Sequence, residues 1–154
     1  MWVGAFLFFV GACVGSFLNV VVLRLYRGES LMGRSHCSDC GAQLAWYHNV
    51  PILSFVWLRG RCAFCGVHIS WQYPLVEAAT AILFALGGWL LLGDLPRLIG
   101  YLIVASFAVA LFAFDFLYSE LPDELTLSGA SVMVLLQIGL GMNLLHLLIA
   151  ALEP

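Results

Sequence analysis

The chain contains no lysine, only six arginines, and charged residues occupy just 10% of its 154 positions, against about 25% in soluble domains. With nine acids and a formal charge of -3, it lacks the cations needed to neutralise a run of phosphates, so nucleic acid is excluded as a partner. It has no polar stretch long enough for a large soluble domain, and no glycine-rich nucleotide loop. No internal repeat or low-complexity tract stands out. What the chain does have is apolar sequence, 63% of it, where about 45 to 50% is usual. The bilayer is the expected partner.

Four apolar stretches, residues 2–25, 74–92, 98–118 and 125–152, are each long enough for a hydrocarbon core about 30 Å thick. They predict an all-α polytopic membrane protein of about four transmembrane helices. The organisation expected is a first span over 1–25, a polar loop over 26–73, and the remaining spans over 74–154. The first stretch has no basic front end and no small-residue cleavage site, so it reads as a span and not as a secretory signal. Pro74, Pro96 and Pro122 mark helix starts, where a missing N–H leaves no bond unmade. Asp123 and Glu124 then fall in a first turn, where carboxylates suit the positive end of the helix dipole. Gly11, Gly15 and Ser16 predict close approach of a neighbouring helix, and Asn19, Gln137, Asn143 and His146 predict interhelical hydrogen bonds. Five of the six arginines, Arg24, Arg27, Arg34, Arg59 and Arg61, lie between the first two spans, which places that loop in the cytoplasm and the amino terminus outside.

The loop carries Cys37-Ser-Asp-Cys40 and Cys62-Ala-Phe-Cys65, each pair followed by a glycine. Two such knuckles point to one tetrahedral zinc site, in which four thiolates leave no open position for water, so the metal would be structural. Disulfides or a redox role are the alternatives; a reducing compartment disfavours the first, and the second needs no duplicate pair. His36, His48 and His68 are spare donors nearby. Cys13, inside the first span, reads as a small buried apolar residue.

Asp115 interrupts the apolar run Leu111-Phe-Ala-Phe-Asp-Phe-Leu-Tyr118. An ionised carboxylate at such depth costs about 2.5 to 3.5 kcal/mol on insertion scales, which marks it as a functional candidate, with an interfacial acid as the alternative. Desolvation there favours a carboxyl that holds or shares a proton. Glu77, one turn into the second span, lies at the same depth and is a candidate to share a cavity with it, with an interfacial acid hydrogen-bonded to the loop as the alternative.

Taken together, Gly15-Ser-Phe-Leu-Asn-Val20, the cysteine pairs enclosing Asn49-Val-Pro-Ile-Leu-Ser-Phe55, Tyr73-Pro-Leu-Val-Glu77, and Asp115 followed by Pro122-Asp123 resemble the bacterial type IV prepilin peptidases over essentially the whole chain. The resemblance implies a polytopic aspartic protease of the inner membrane that cuts the short basic leader from prepilins and pseudopilins. It also implies, in many members, methylation of the new amino terminus by S-adenosylmethionine. Carried over, Asp115 takes the place of the first catalytic aspartate, Glu77 and Asp123 are accessory candidates, and Cys37, Cys40, Cys62 and Cys65 match the family's cysteine set. The family's second aspartate sits in a Gly-x-Gly-Asp motif, and the nearest matches here, Gly139-Leu-Gly-Met142 and Leu92-Gly-Asp94, do not supply it. Since aspartic proteolysis needs two carboxyls sharing a proton, the expectation is a truncated or split enzyme completed by a carboxyl-terminal half chain or a second copy. The alternative is a non-proteolytic membrane module that binds prepilin or another secretion component.

Overall fold

The computed structural model describes residues 2–140. Five α-helices run in order: α1 (Trp2–Arg27), α2 (Leu53–Trp57), α3 (Gln72–Leu91), α4 (Leu95–Tyr118) and α5 (Asp123–Leu140), with a 3₁₀ turn at Trp46–Asn49. Among the described residues the only β pairing is two isolated antiparallel bridges, both in the loop between α1 and α3. Three helices, α1, α3 and α4, are long and apolar enough to cross a membrane. The 26 residues of α1 reach about 39 Å, more than the hydrocarbon thickness. α5 begins where the fourth span was expected; the rest of that stretch, with Asn143 and His146, lies outside the described residues.

The helix starts follow the prolines. Pro96 is the second residue of α4, whose first turn is capped by the Asp94 carboxylate accepting the Arg97 N–H at 3.2 Å. Pro122 immediately precedes α5, and its carbonyl accepts the N–H groups of Leu125 and Thr126. α4 stops at Ser119, which turns left-handed (φ 52°) and returns its N–H to the Asp115 carbonyl at 2.7 Å.

In lipid the tails are as apolar as leucine, so helices associate through close packing and not through the hydrophobic effect. The crossing of α1 on α3 is built accordingly. A Cβ on Gly11 would lie 2.8 Å from the Ala81 Cα, and one on Gly15 would lie 2.7 Å from the Glu77 Cα. The backbones therefore touch, and only glycine fits. Around this seam run three apolar clusters: Leu7, Phe84 and Leu98 toward one end, Leu18, Ala110 and Leu125 in the middle, and Val22, Ala113 and Phe114 at the end that carries the loop.

Candidate functional site

The two cysteine pairs form the same small fold twice. In each, the first cysteine donates its N–H five residues on (Cys37 to Ala42, 2.9 Å; Cys62 to Val67, 2.8 Å) and accepts one from the glycine after the second cysteine (Gly41 and Gly66, both 3.0 Å). Both glycines have positive φ, 69° and 74°, which a side chain would resist. The flanking bridges, His36 with Gln43 and Arg61 with His68, and the outer bonds, Leu44 to Ser35 and Ile69 to Gly60, also match position for position. The loop thus contains an internal repeat. Sequence reading missed it because only Cys, Gly and an aliphatic residue recur, and the hydrogen-bond pattern, not residue identity, carries the likeness.

The four Sγ atoms of Cys37, Cys40, Cys62 and Cys65 all lie within 4.8 Å of one another, with Cys37 and Cys65 3.9 Å apart. Zinc–sulfur bonds of about 2.3 Å in a tetrahedron put sulfur pairs about 3.8 Å apart, so the set could hold a metal ion after at most a small contraction. The backbone N–H groups of Cys65 and Phe64 stabilise the Cys62 thiolate and bring its pKa from 9.0 to about 7. The Val67 N–H acts in the same direction on Cys65, but burial and the neighbouring thiols outweigh it, and that thiol is pushed up to about 12. Four sulfurs crowded together cannot all ionise without a cation among them. None of the three histidines belongs to the four-sulfur group.

Beneath the knuckles lies a cavity of about 560 Å³, walled by α1 from Cys13 to Arg27, by the start of α3 from Gln72 to Glu77, and by α2 and the knuckles. Cys13 is exposed, not buried as expected, because its side of α1 faces away from the α3 seam. Its inner wall is apolar, with Phe17, Val20 and Leu23, whereas Arg27, Glu29, Asp39, His48 and Glu77 bring charged and polar groups to the loop side. Glu77 is 6% exposed, and its carboxylate accepts the Ile52 N–H at 2.7 Å. That bond fixes an unusual backbone. Ile52 has φ 61° and ψ −49°, and the Leu53 N–H reaches back to the Pro51 carbonyl, a positive-φ γ-turn, strained even before a β-branched side chain is placed in it. Arg24, also buried, donates to the carbonyls of Ser30, Gly33 and Arg34 and so secures the other end of the loop.

The expected acids separate. Glu77 lines the cavity and Asp115 does not. On α4 the inward residues are Ala110, Ala113 and Phe114; one step further round the helix, about 100°, Asp115 is exposed together with Phe112 and Phe116. Asp115 is therefore turned away from the helix contacts among these residues, because an apolar run is not by itself a face packed on protein. Asp123 and Glu124 are exposed in the first turn of α5. Asn19 is buried and bonds across to α3, its Nδ2 donating to the Tyr73 carbonyl at 3.1 Å, while its Oδ1 has no partner among the described residues. The Gln137 side chain, on α5, makes no interhelical hydrogen bond among these residues. Glu77 makes the bond to the loop that was the alternative expected of it, but the Ile52 turn it holds and the role of Arg24 went unread, since no local pattern encodes which loop residue meets an acid 25 positions on.

The family model of the bacterial peptidase A24 N-terminal domain matches residues 9–91, a stretch that takes in the cysteine knuckles, the cavity and the α1–α3 seam. A prepilin leader peptidase/N-methyltransferase of Myxococcus xanthus is 43% identical over 143 residues, 90% of this chain and 41% of that protein. Proteins of the same name from Klebsiella pneumoniae (42% identical, 82% of this chain, 58% of the relative) and Pectobacterium carotovorum (38%, 93% and 56%) are also similar. The chain spans about half the length of these relatives. No solved structure matches it. With the twin knuckles and the glycine seam inside the matched stretch, the chain belongs to the family of bacterial peptidase A24 N-terminal domains.

Proposed function

We propose that the chain is the amino-terminal part of an aspartic prepilin peptidase of the bacterial inner membrane, with the loop in the cytoplasm and zinc held by Cys37, Cys40, Cys62 and Cys65. The observation that carries this reading is the cavity, which joins an apolar wall in the membrane to a charged wall under the metal knuckles. Such a chamber suits a prepilin, whose basic leader meets Asp39 and Glu77 while the apolar segment after it runs along Phe17, Val20 and Leu23. Zinc would shape this wall and take no part in bond breaking, since four thiolates fill its coordination.

Asp115 supplies one of the two carboxyls. Its exposure on α4 leaves it free to face a second carboxyl from outside residues 2–140, from a carboxyl-terminal half or a second copy, and the pair would share one proton so that one acts as base on water and the other as acid on the scissile carbonyl. Asp123 stands in the first turn of α5, where its carboxylate suits the positive end of the helix. S-adenosylmethionine would supply the methyl group for the cut amino terminus. The cavity has a volume within the usual range for ligand sites, and Arg27 and Glu77 offer opposite charges to its carboxylate and its cationic groups. Methyl transfer needs an unprotonated amine, and Glu77 is placed to accept that proton.

The separation of Asp115 from the cavity favours a second reading, a non-proteolytic module that only holds prepilin. A cleavage assay in membranes, with this chain and a carboxyl-terminal half bearing Gly-x-Gly-Asp, decides between them. Cleavage that is lost in Asp115→Asn supports the peptidase; prepilin retained by the chain but never cut supports the module. Labelled methyl transfer in the same membranes, lost in Glu77→Ala, tests the second activity.

A further inference from the structure

The short helix α2 divides into two faces. Ser54, Phe55 and Leu58 line the cavity, while Leu53, Val56 and Trp57 are exposed, Trp57 by 88%. A loop surrounded by water would carry polar side chains on that outer face. Here it carries Leu, Val and Trp, followed by the exposed Arg59 and Arg61, neither of which pairs with an acid among the described residues.

Its depth is fixed by two contacts. The turn that opens α2 is bonded to Glu77, which lies five residues inside the membrane-spanning helix α3, about 7 Å along its axis. Phe55 packs on Trp71, the residue just before α3, at 4.9 Å between rings. Trp71 is itself exposed, as are Trp2 and Trp89 at the far ends of α1 and α3. Trp at both ends of spans marks the two headgroup levels. α2 thus stands at the level where one belt lies, continuous with the lipid-facing surface of α3.

We propose that Leu53–Trp57 is seated in the lipid interface, its outer face at the boundary of headgroups and acyl chains and Arg59 and Arg61 on the phosphates above it. The loop is then a lid lying on the bilayer, and the cavity opens at membrane level instead of into bulk water. A short apolar face with flanking arginines has the composition of an interfacial segment, and the bilayer is its occupant.

The test uses the whole chain in phosphatidylcholine vesicles with brominated acyl chains, and separately with iodide in the water. Trp57→Phe should remove emission that bromolipid quenches and leave the iodide-quenched part intact. Trp46→Phe, at the exposed start of the 3₁₀ turn, should do the reverse. Loss of the iodide-quenched part in Trp57→Phe overturns the proposal, as does shielding of Trp57 from iodide only after a prepilin peptide is added. A second measurement needs no variant: a photoactivatable phospholipid should label residues 53–57 together with the first turn of α3, and labelling of α3 without α2 refutes the assignment.

Discussion

The bundle and the loop hold their shapes by different means. In α1, α3 and α4 the backbone groups are satisfied within each helix, and shape comes from contact: glycine against backbone at Gly11 and Gly15, then Leu, Ala and Phe in three clusters. In the loop, Cys37 and Cys62 are the buried apolar residues. Forty-odd residues without an apolar core need a staple, and the four sulfurs are where it can be placed. The bundle should therefore tolerate loss of the metal, while the loop should not tolerate loss of either the metal or its anchors on the bundle.

The strongest way to break this contrast is to remove the metal ligands. Cys37→Ser with Cys62→Ser should abolish zinc binding, which in small structural sites amounts to about 10 to 16 kcal/mol. Metal analysis should fall to background and trypsin should cut at Arg59 and Arg61, with the helix signal of the bundle nearly unchanged. Collapse of the bundle as well would show that the two regions are not separate.

Next in size is Gly15→Val, which drives a branched side chain into the α3 backbone at Glu77. Overpacking of this kind costs about 1 to 3 kcal/mol, read as a lower midpoint of unfolding in detergent. Because the same stretch of α3 holds Ile52, this variant should also loosen the loop, and unchanged protease resistance there would argue against coupling through Glu77. Glu77→Ala isolates that coupling. It leaves the Ile52 N–H without its acceptor, worth about 1 to 3 kcal/mol, whereas Glu77→Gln keeps an acceptor oxygen and should cost less. Equal effects of the two would mean that packing, and not the hydrogen bond, holds the turn.

The smallest effect concerns protons. Cys65, pushed up to about 12, keeps its proton at neutral pH in the metal-free loop, and a metal-bound thiolate has none. Zinc uptake should therefore release protons, and affinity should rise with pH. Below about 7 Cys62 is protonated too, so affinity should fall more steeply there. Calorimetry of zinc binding in buffers of different ionisation enthalpy reads the proton count; a pH-independent affinity between 6 and 8 contradicts this account.

Much of the site was legible because its signals are local. Cysteine pairs with a following glycine specify a turn within five residues, and prolines at helix starts act within one turn, so the knuckles and the starts of α3, α4 and α5 follow from the order of residues. Close packing at Gly11 and Gly15 was legible for the same reason, since small residues four apart share a face. Asp115 shows the limit: its neighbours are apolar, yet in a membrane apolar residues face lipid as readily as protein, and the face that carries it is turned outward.

The sequence by itself determined the membrane setting, the first three of the four expected spans and the four-sulfur set, since hydropathy, proline position and cysteine spacing act over one or two helical turns. Only the tertiary structure decided that Glu77 and not Asp115 faces the cavity, that Glu77 holds the strained Ile52 turn, and that Arg24 is spent on loop carbonyls. Those outcomes depend on how helices rotate about their axes and where a 44-residue excursion between α1 and α3 returns. Both are set by contacts between distant segments, which no local pattern of residues contains.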